Sequence, residues 1–215
     1  MRFFVDSADI EEIKKAKALG LADGVTTNPT LIRKSGRDFQ ETIKEIAELV
    51  QGPVNAETIS LDTQGILKEG REMAGWASNV TIKIPVTRDG LEAVRILESE
   101  GIATTVTLIF SPSQALLAAT AGASYICPFV GRLDDVSSPG MGLVGEIMDI
   151  YTQYEDIDTQ VIVASVRSPN HVVEAAVYGA HGVTVPYKVI DQMMNHPLTE
   201  NGIQRFLDDW EKAKK

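Results

Sequence analysis

Asn79-Val80-Thr81-Ile82-Lys83-Ile84-Pro85-Val86 reads as a short buried β-strand with one charged residue at its centre. Apolar and β-branched residues fill the run, and a proline sits near its end. An ammonium ion inside such a run would lose much of its hydration, which is expensive unless the charge is paired. Burial would favour the neutral amine. A neutral lysine is a nucleophile of the kind that forms Schiff bases with carbonyl compounds. The competing reading turns Lys83 outward, with its charge reaching solvent between helices. The surrounding sequence decides between them.

Outward from Lys83 the same unit recurs. Phe3-Phe4-Val5, Gly24-Val25-Thr26-Thr27 and Pro53-Val54-Asn55-Ala56-Glu57 read as three strands before it. Ala103–Leu108, Ser124–Phe129, Gln160–Ser165 and Gly182–Val185 read as four strands after it. Amphipathic segments lie between them. Asp9 and Glu12 form a capping-box pattern for the first helix, and Gly20 ends it. Further helices are expected over 38–50, 62–76 and 139–155. Eight alternating β and α units with short connections predict a parallel sheet closed into a (β/α)8 barrel, a TIM barrel. An open doubly wound sheet is disfavoured because no Gly-x-Gly-x-x-Gly follows the first strand. One domain over residues 1–215 is expected. Residues 198–215 differ in kind. There Ile203, Phe206, Leu207 and Trp210 form an apolar stripe at helical spacing. This extra helix has to cover its stripe on its own barrel or on a neighbouring subunit.

Composition narrows the function classes. A formal net charge of -10 argues against nucleic acid as a partner, since that binding relies on basic surface. It leaves room for a phosphorylated small molecule, for which one or two local arginines suffice. No apolar run approaches the ~20 residues that span a bilayer, and Met1–Asp6 lacks signal-peptide architecture. A membrane association is therefore not expected. The single cysteine, Cys127, excludes an intramolecular disulfide and reads as a core residue. These features fit a cytoplasmic protein. His171, His181 and His196 are scattered without metal-ligand spacing, so no metal is expected.

In this barrel type, reacting groups lie at the C-terminal ends of the strands. Those ends carry Asp6, Asn28, Glu57, Lys83 and Thr107, with Arg132 just past the sixth strand and Ser165 and Arg167 after the seventh. Each has an ordinary alternative. Asp6 could cap a helix, Asn28 could serve a turn, Glu57 could be solvated, and Arg132 could pair with Asp134 or Asp135. Their joint appearance on one rim is harder to explain that way. A neutral lysine attacking a ketone gives a carbinolamine, whose dehydration needs a proton donor. Glu57 with Thr107 is a plausible pair for holding the water involved. Asp6 is the candidate base for a hydroxyl proton during carbon–carbon cleavage. Arg132, Arg167 and Ser165 suit a terminal phosphate, and Asn28 suits substrate hydroxyls. The residues thus point to a Schiff-base enzyme acting on a phosphorylated sugar.

Several motifs are similar to those of the small transaldolases. They are Phe4-Val5-Asp6-Ser7-Ala8, Gly24-Val25-Thr26-Thr27-Asn28-Pro29-Thr30, Val80–Pro85, Pro128-Phe129-Val130-Gly131-Arg132-Leu133-Asp134-Asp135, Val163-Ala164-Ser165-Val166-Arg167 and Phe206-Leu207-Asp208-Asp209-Trp210. The resemblance spans essentially the whole chain. It implies a (β/α)8 barrel, a Schiff base on Lys83, no cofactor, and transfer of a dihydroxyacetone unit from a ketose phosphate to an aldose phosphate in the pentose phosphate pathway. It also implies a homo-oligomer, pentamer or decamer, with the C-terminal helix reaching a neighbour. The related fructose-6-phosphate aldolases carry glutamine and tyrosine where this chain has Glu57 and Phe129. A phenylalanine has no hydroxyl with which to protonate the enamine. The resemblance therefore favours transfer over release of free dihydroxyacetone.

Overall fold

Strand β1 (Arg2–Asp6) pairs in parallel with β2 (Gly24–Thr26) on one side and with β8 (Gly182–Val185) on the other. The first and last strands therefore share an edge, and the sheet has none left open. Between them run β3 (Val54–Glu57), β4 (Val80–Pro85), β5 (Thr104–Ile109), β6 (Tyr125–Pro128) and β7 (Gln160–Val163), each parallel to the next. This computed structural model describes residues 1–214 and contains the TIM barrel expected from the sequence, with an added C-terminal helix.

The helices are α1 (Ile10–Ala18), α2 (Pro29–Ser35), α3 (Phe39–Leu49), α4 (Thr63–Ala74), α5 (Arg88–Ser99), α6 (Pro112–Thr120), α7 (Val130–Asp134), α8 (Gly140–Tyr151), α9 (Pro169–Val177), α10 (Tyr187–Met194) and α11 (Pro197–Ala213). The larger apolar core lies between the strands and this helical shell, with Ile13, Ile43, Ile46, Leu97 and Ile147 fully buried. It supplies most of the hydrophobic driving force for closure.

The barrel interior is different. One part is a small apolar cluster of Phe4, Cys127, Ile162 and Ala164. Another is polar: the Asn55 amide donates to the hydroxyls of Thr81 and Thr105. Side chains two apart on a strand share a face. Asn55 and Glu57, Thr81 and Lys83, and Thr105 and Thr107 therefore stand in successive layers, with polar threonine and asparagine beneath the reacting groups.

Two helices, α2 and α7, were not anticipated. Helix α2 buries none of its residues, so it has no amphipathic period to read. It rests on local signals instead: Asn28 accepts from the Leu31 amide, Pro29 opens the helix, and Gly36 closes it at φ 67°. Helix α7 is five residues long and has no side-chain cap. The first helix is capped differently from the expected box. Asp9 accepts from the Glu11 and Glu12 amides, but the Glu12 carboxylate takes the Ser7 hydroxyl at 2.5 Å. Ser7 in turn accepts from the Asp9 amide.

Among the described residues nothing covers the stripe of helix α11: Leu198, Ile203, Phe206, Leu207 and Trp210 are all exposed. Among the described residues, no helix is long and apolar enough to cross a membrane.

Candidate active site

Lys83 is 4% exposed and points into the barrel. Its Nζ lies 3.0 Å from Glu57 Oε2 and donates to the Thr27 carbonyl oxygen at 2.9 Å. The outward reading of Lys83 is thereby replaced. The cost of burying the charge is offset by a carboxylate and a carbonyl. The parallel register explains the pair, because Glu57 on β3 lies directly beside Lys83 on β4.

Asp6 ends β1, in register with Thr26 on β2. It caps no helix; its Oδ1 accepts from the Thr26 hydroxyl at 3.1 Å. Burial raises the Asp6 carboxyl above its ordinary value. The Lys83 charge and the Thr26 hydrogen bond pull it down, and Glu57 pushes it up.

Thr107 lies near the end of β5, where the pairing with β6 slips between Val106 and Ile109. Leu108 takes a left-handed backbone there, φ 60°, a costly conformation for a branched side chain. The Thr107 hydroxyl is buried and has no partner among the described residues. Buried polar atoms normally find one.

Arg132 on α7, which follows β6, and Arg167 in the loop after β7 line the same cleft. The Val130 and Gly131 amides donate to the carbonyls of Ala164 and Ser165 at 3.1 and 3.0 Å, which stitches α7 to the β7 loop. A Cβ on Gly131 would sit 2.2 Å from the Ser165 oxygen, so the approach requires glycine. Ser165 itself is left-handed, φ 59°. Arg132 stacks its guanidinium over the Phe129 ring at 5.1 Å rather than pairing with Asp134 or Asp135. It is Arg167 that pairs with Asp135, at 2.9 Å, while Asp134 takes His171.

A cleft of about 340 Å³ collects most of these groups, while Thr107 is not among the residues that line it. Asp6, Asn28, Lys83, Phe129, Arg132, Ser165 and Arg167 all line it. Glu57 reaches it through its contact with Lys83. Together with Asn28, Glu57 also borders an adjoining, more apolar depression of about 220 Å³. Thr26, Lys34, Cys127 and Thr184 line the main cleft too, and the sequence had not singled them out for it. Cys127 keeps its packing role at 1% exposure, and burial pushes its thiol up to about 12. Among the described residues there is no cluster of His, Cys, Asp or Glu that could hold a metal ion.

A buried lysine paired with a carboxylate, at the C-terminal mouth of an eight-stranded barrel, is one arrangement in which comparison with other proteins is informative. The family model described as transaldolase/fructose-6-phosphate aldolase matches residues 3–215. The chain belongs to this family. A "probable transaldolase" of Aquifex aeolicus is 61% identical over 213 residues, covering 99% of this chain and 98% of that protein. One from Methanococcus maripaludis is 60% identical, covering 98% of each. Another, from a Thermoanaerobacter species, is 56% identical, covering 99% and 98%. Among solved structures, a mandelate oxidase variant superposes with a TM-score of 0.59 at 18% identity. That match covers 87% of this chain and 64% of the oxidase, and it speaks to the barrel alone. Membership in the transaldolase/fructose-6-phosphate aldolase family agrees with the resemblance read from the motifs.

Proposed function

We propose that this chain is a transaldolase that moves a dihydroxyacetone unit between sugar phosphates through a Schiff base on Lys83. The observation that carries the proposal is the buried Lys83 with Glu57 3.0 Å away, opening onto a cleft that also holds two arginines. The donor would be a ketose phosphate such as sedoheptulose 7-phosphate or fructose 6-phosphate. The acceptor would be an aldose phosphate such as glyceraldehyde 3-phosphate or erythrose 4-phosphate.

In this reading the amine sheds a proton, with the Glu57 carboxylate as the nearest acceptor, and attacks the ketone carbon. Glu57, through a water also held by the otherwise unpartnered Thr107 hydroxyl, returns a proton as the carbinolamine loses water. Asp6 then takes the proton of the hydroxyl two carbons from the iminium carbon. The intervening carbon–carbon bond breaks, its electron pair enters the iminium to give an enamine, and the aldose phosphate leaves. Asn28 orients the retained hydroxyls. Arg132, Arg167 and Ser165 hold the phosphate. Phe129 offers the enamine no proton, so the intermediate waits for an acceptor aldehyde. That favours transfer over the aldolase alternative.

Borohydride reduction in the presence of fructose 6-phosphate should leave a stable mass adduct on Lys83, with little free dihydroxyacetone released when no acceptor is supplied. A wild-type protein that gives no adduct, or a Lys83→Ala variant that gives the same one, defeats the proposal. Release without acceptor at the rate of transfer would establish the aldolase instead.

The exposed stripe on α11 fits a contact with a neighbouring copy in a pentamer or decamer. Phe206→Asp with Trp210→Asp should lower the mass seen by light scattering toward that of one chain. An unchanged mass would rule that contact out.

A further inference from the structure

Thr26 and Thr184 are buried at 1% and 2% exposure, yet both border the cleft. Thr26 on β2 stands beside Asp6 in register, while Thr184 on β8 stands beside Phe4, two residues earlier on β1, the strand between them. Thr26 Oγ1 lies 3.1 Å from Asp6 Oδ1 and 2.5 Å from Thr184 Oγ1. The ordinary reading is two threonines filling a barrel and satisfying each other.

Counting hydrogens says more. A hydroxyl has one proton to donate, and a carboxylate can only accept. With Asp6 ionised, Thr26 must donate to Oδ1. Its oxygen is then the acceptor in the shorter contact, so Thr184 must donate to Thr26. The direction of the chain is fixed: Thr184 to Thr26 to Asp6. Protonating Oδ1 would weaken it as an acceptor and give it a proton of its own that competes with the Thr26 donor. Protonating Oδ2 disturbs neither hydroxyl.

We propose that Thr184 and Thr26 form a positioning relay that holds Asp6 Oδ1 as a fixed acceptor and reserves Oδ2 for the substrate hydroxyl proton. The inference rests on Asp6 being the base in the proposed transfer reaction. In the cleavage step the O–H bond of the substrate breaks and its proton forms a bond to Oδ2, while Oδ1 keeps its bond from Thr26. The charged or titratable groups that act on Asp6 are Lys83 on β4, Glu57 on β3 and Cys127 on β6, and Lys34, Arg132 and Arg167 line the same cleft. None of them is altered by changing a threonine.

The test is Thr26→Val, which keeps the shape and removes the donor, compared with Thr26→Ser, which restores it, and Thr184→Val, which removes the second hydroxyl. Losing a donor to a carboxylate destabilises the ionised base. The acid limb of the kcat pH profile should therefore move up by about one pH unit in Thr26→Val. The move should be smaller in Thr184→Val and nearly absent in Thr26→Ser. Borohydride trapping with fructose 6-phosphate gives a second readout. Schiff-base formation should persist in Thr26→Val, but trapped material should shift from the cleaved three-carbon adduct toward the intact six-carbon phosphate adduct. An acid limb and adduct ratio like those of wild type in Thr26→Val would overturn the relay. Should Thr26→Val not fold, Thr184→Val decides by the same two readouts. Absence of any adduct in the wild type would instead defeat the Schiff-base reading on which the relay depends.

Discussion

Two arcs of the barrel mouth are built by different means. Across β1 to β5 Asp6, Glu57, Lys83 and Thr107 are strand residues, and all but Thr107 find a side-chain partner on the adjacent strand. Glu57 faces Lys83 and Thr26 faces Asp6 by register alone. Lys83 and Thr107 are buried at 4% and 1% exposure. Across β6 and β7 the groups lie beyond the strand ends. Arg132 sits on α7 and Arg167 in a loop, both exposed, and their segments are joined by the backbone bonds from Val130 to Ala164 and from Gly131 to Ser165. The first arc suits proton and nucleophile chemistry, which depends on atoms held to a fraction of an ångström in a poorly solvated place. The second suits a ligand's charged end, which arrives with its own hydration and needs a fork of donors more than a rigid seat.

This contrast predicts that the two arcs fail differently. Under the proposed function, replacing Arg132 or Arg167 by alanine would remove a charge-assisted contact to phosphate, worth roughly 1.5–3 kcal/mol. KM for a phosphorylated aldose acceptor should rise about 10- to 100-fold, with kcat far less affected. Catalysis with unphosphorylated glyceraldehyde should change little, and trapping of dihydroxyacetone on Lys83 should persist. Steady-state kinetics with the two acceptors would measure this. An equal loss with both acceptors would mean that the arginines support the fold of the rim and not the phosphate. The exposed Arg167–Asp135 pair contributes little to stability in its own right. Melting temperatures of the arginine variants should therefore stay near that of the parent.

The same contrast governs what could be read from the sequence. Strand periodicity displays the first arc. A polar residue at the end of an apolar run, with its partner on the next strand, is visible once eight strands are counted. Asp6, Glu57, Lys83 and Thr107 are legible that way as polar residues on the strands, as is the barrel itself. The placement of Arg132 beside Ser165 has no local period. It depends on Gly131 approaching a carbonyl of a residue 34 positions later in the chain and on a left-handed Ser165. Arg132 and Arg167 could be named, but their partners could not, and the pairing with Asp135 fell to the other arginine. Helices α2 and α7 escaped because neither carries an apolar stripe long enough to show a 3.6-residue period. Thr26 and Thr184 escaped for another reason. Threonine is ordinary in strands, and the contact between these two hydroxyls exists only because closure makes β8 and β2 the two flanks of β1. The stripe on α11 was plain, since amphipathic spacing is the strongest periodic signal a helix has.

A smaller effect sharpens the contrast further, because the first arc should cost the protein stability. Burial is the largest influence on Asp6, and it raises the carboxyl above the 3.8 expected of an unfolded chain. An acid with a raised folded value binds its proton more tightly when folded. Stability is then greatest below the unfolded value and falls as pH rises through the window up to the folded one. At neutral pH the protein bears the whole cost of an ionised, desolvated carboxylate, only partly offset by Lys83 and Thr26. Asp6→Asn removes that charge while keeping an acceptor for the Thr26 hydroxyl. The variant should lose transfer activity yet melt higher than the parent at pH 7. In a chain of this size each ~1 kcal/mol regained raises Tm by about 2–4 °C. The difference should shrink toward pH 4, where the parent's Asp6 is increasingly protonated in both states. Thermal melts of the two proteins from pH 4 to 8 check the slope as well as the sign. A variant that melts lower at neutral pH would mean that attraction to Lys83 outweighs burial, and that the catalytic arc stabilises the barrel instead of straining it.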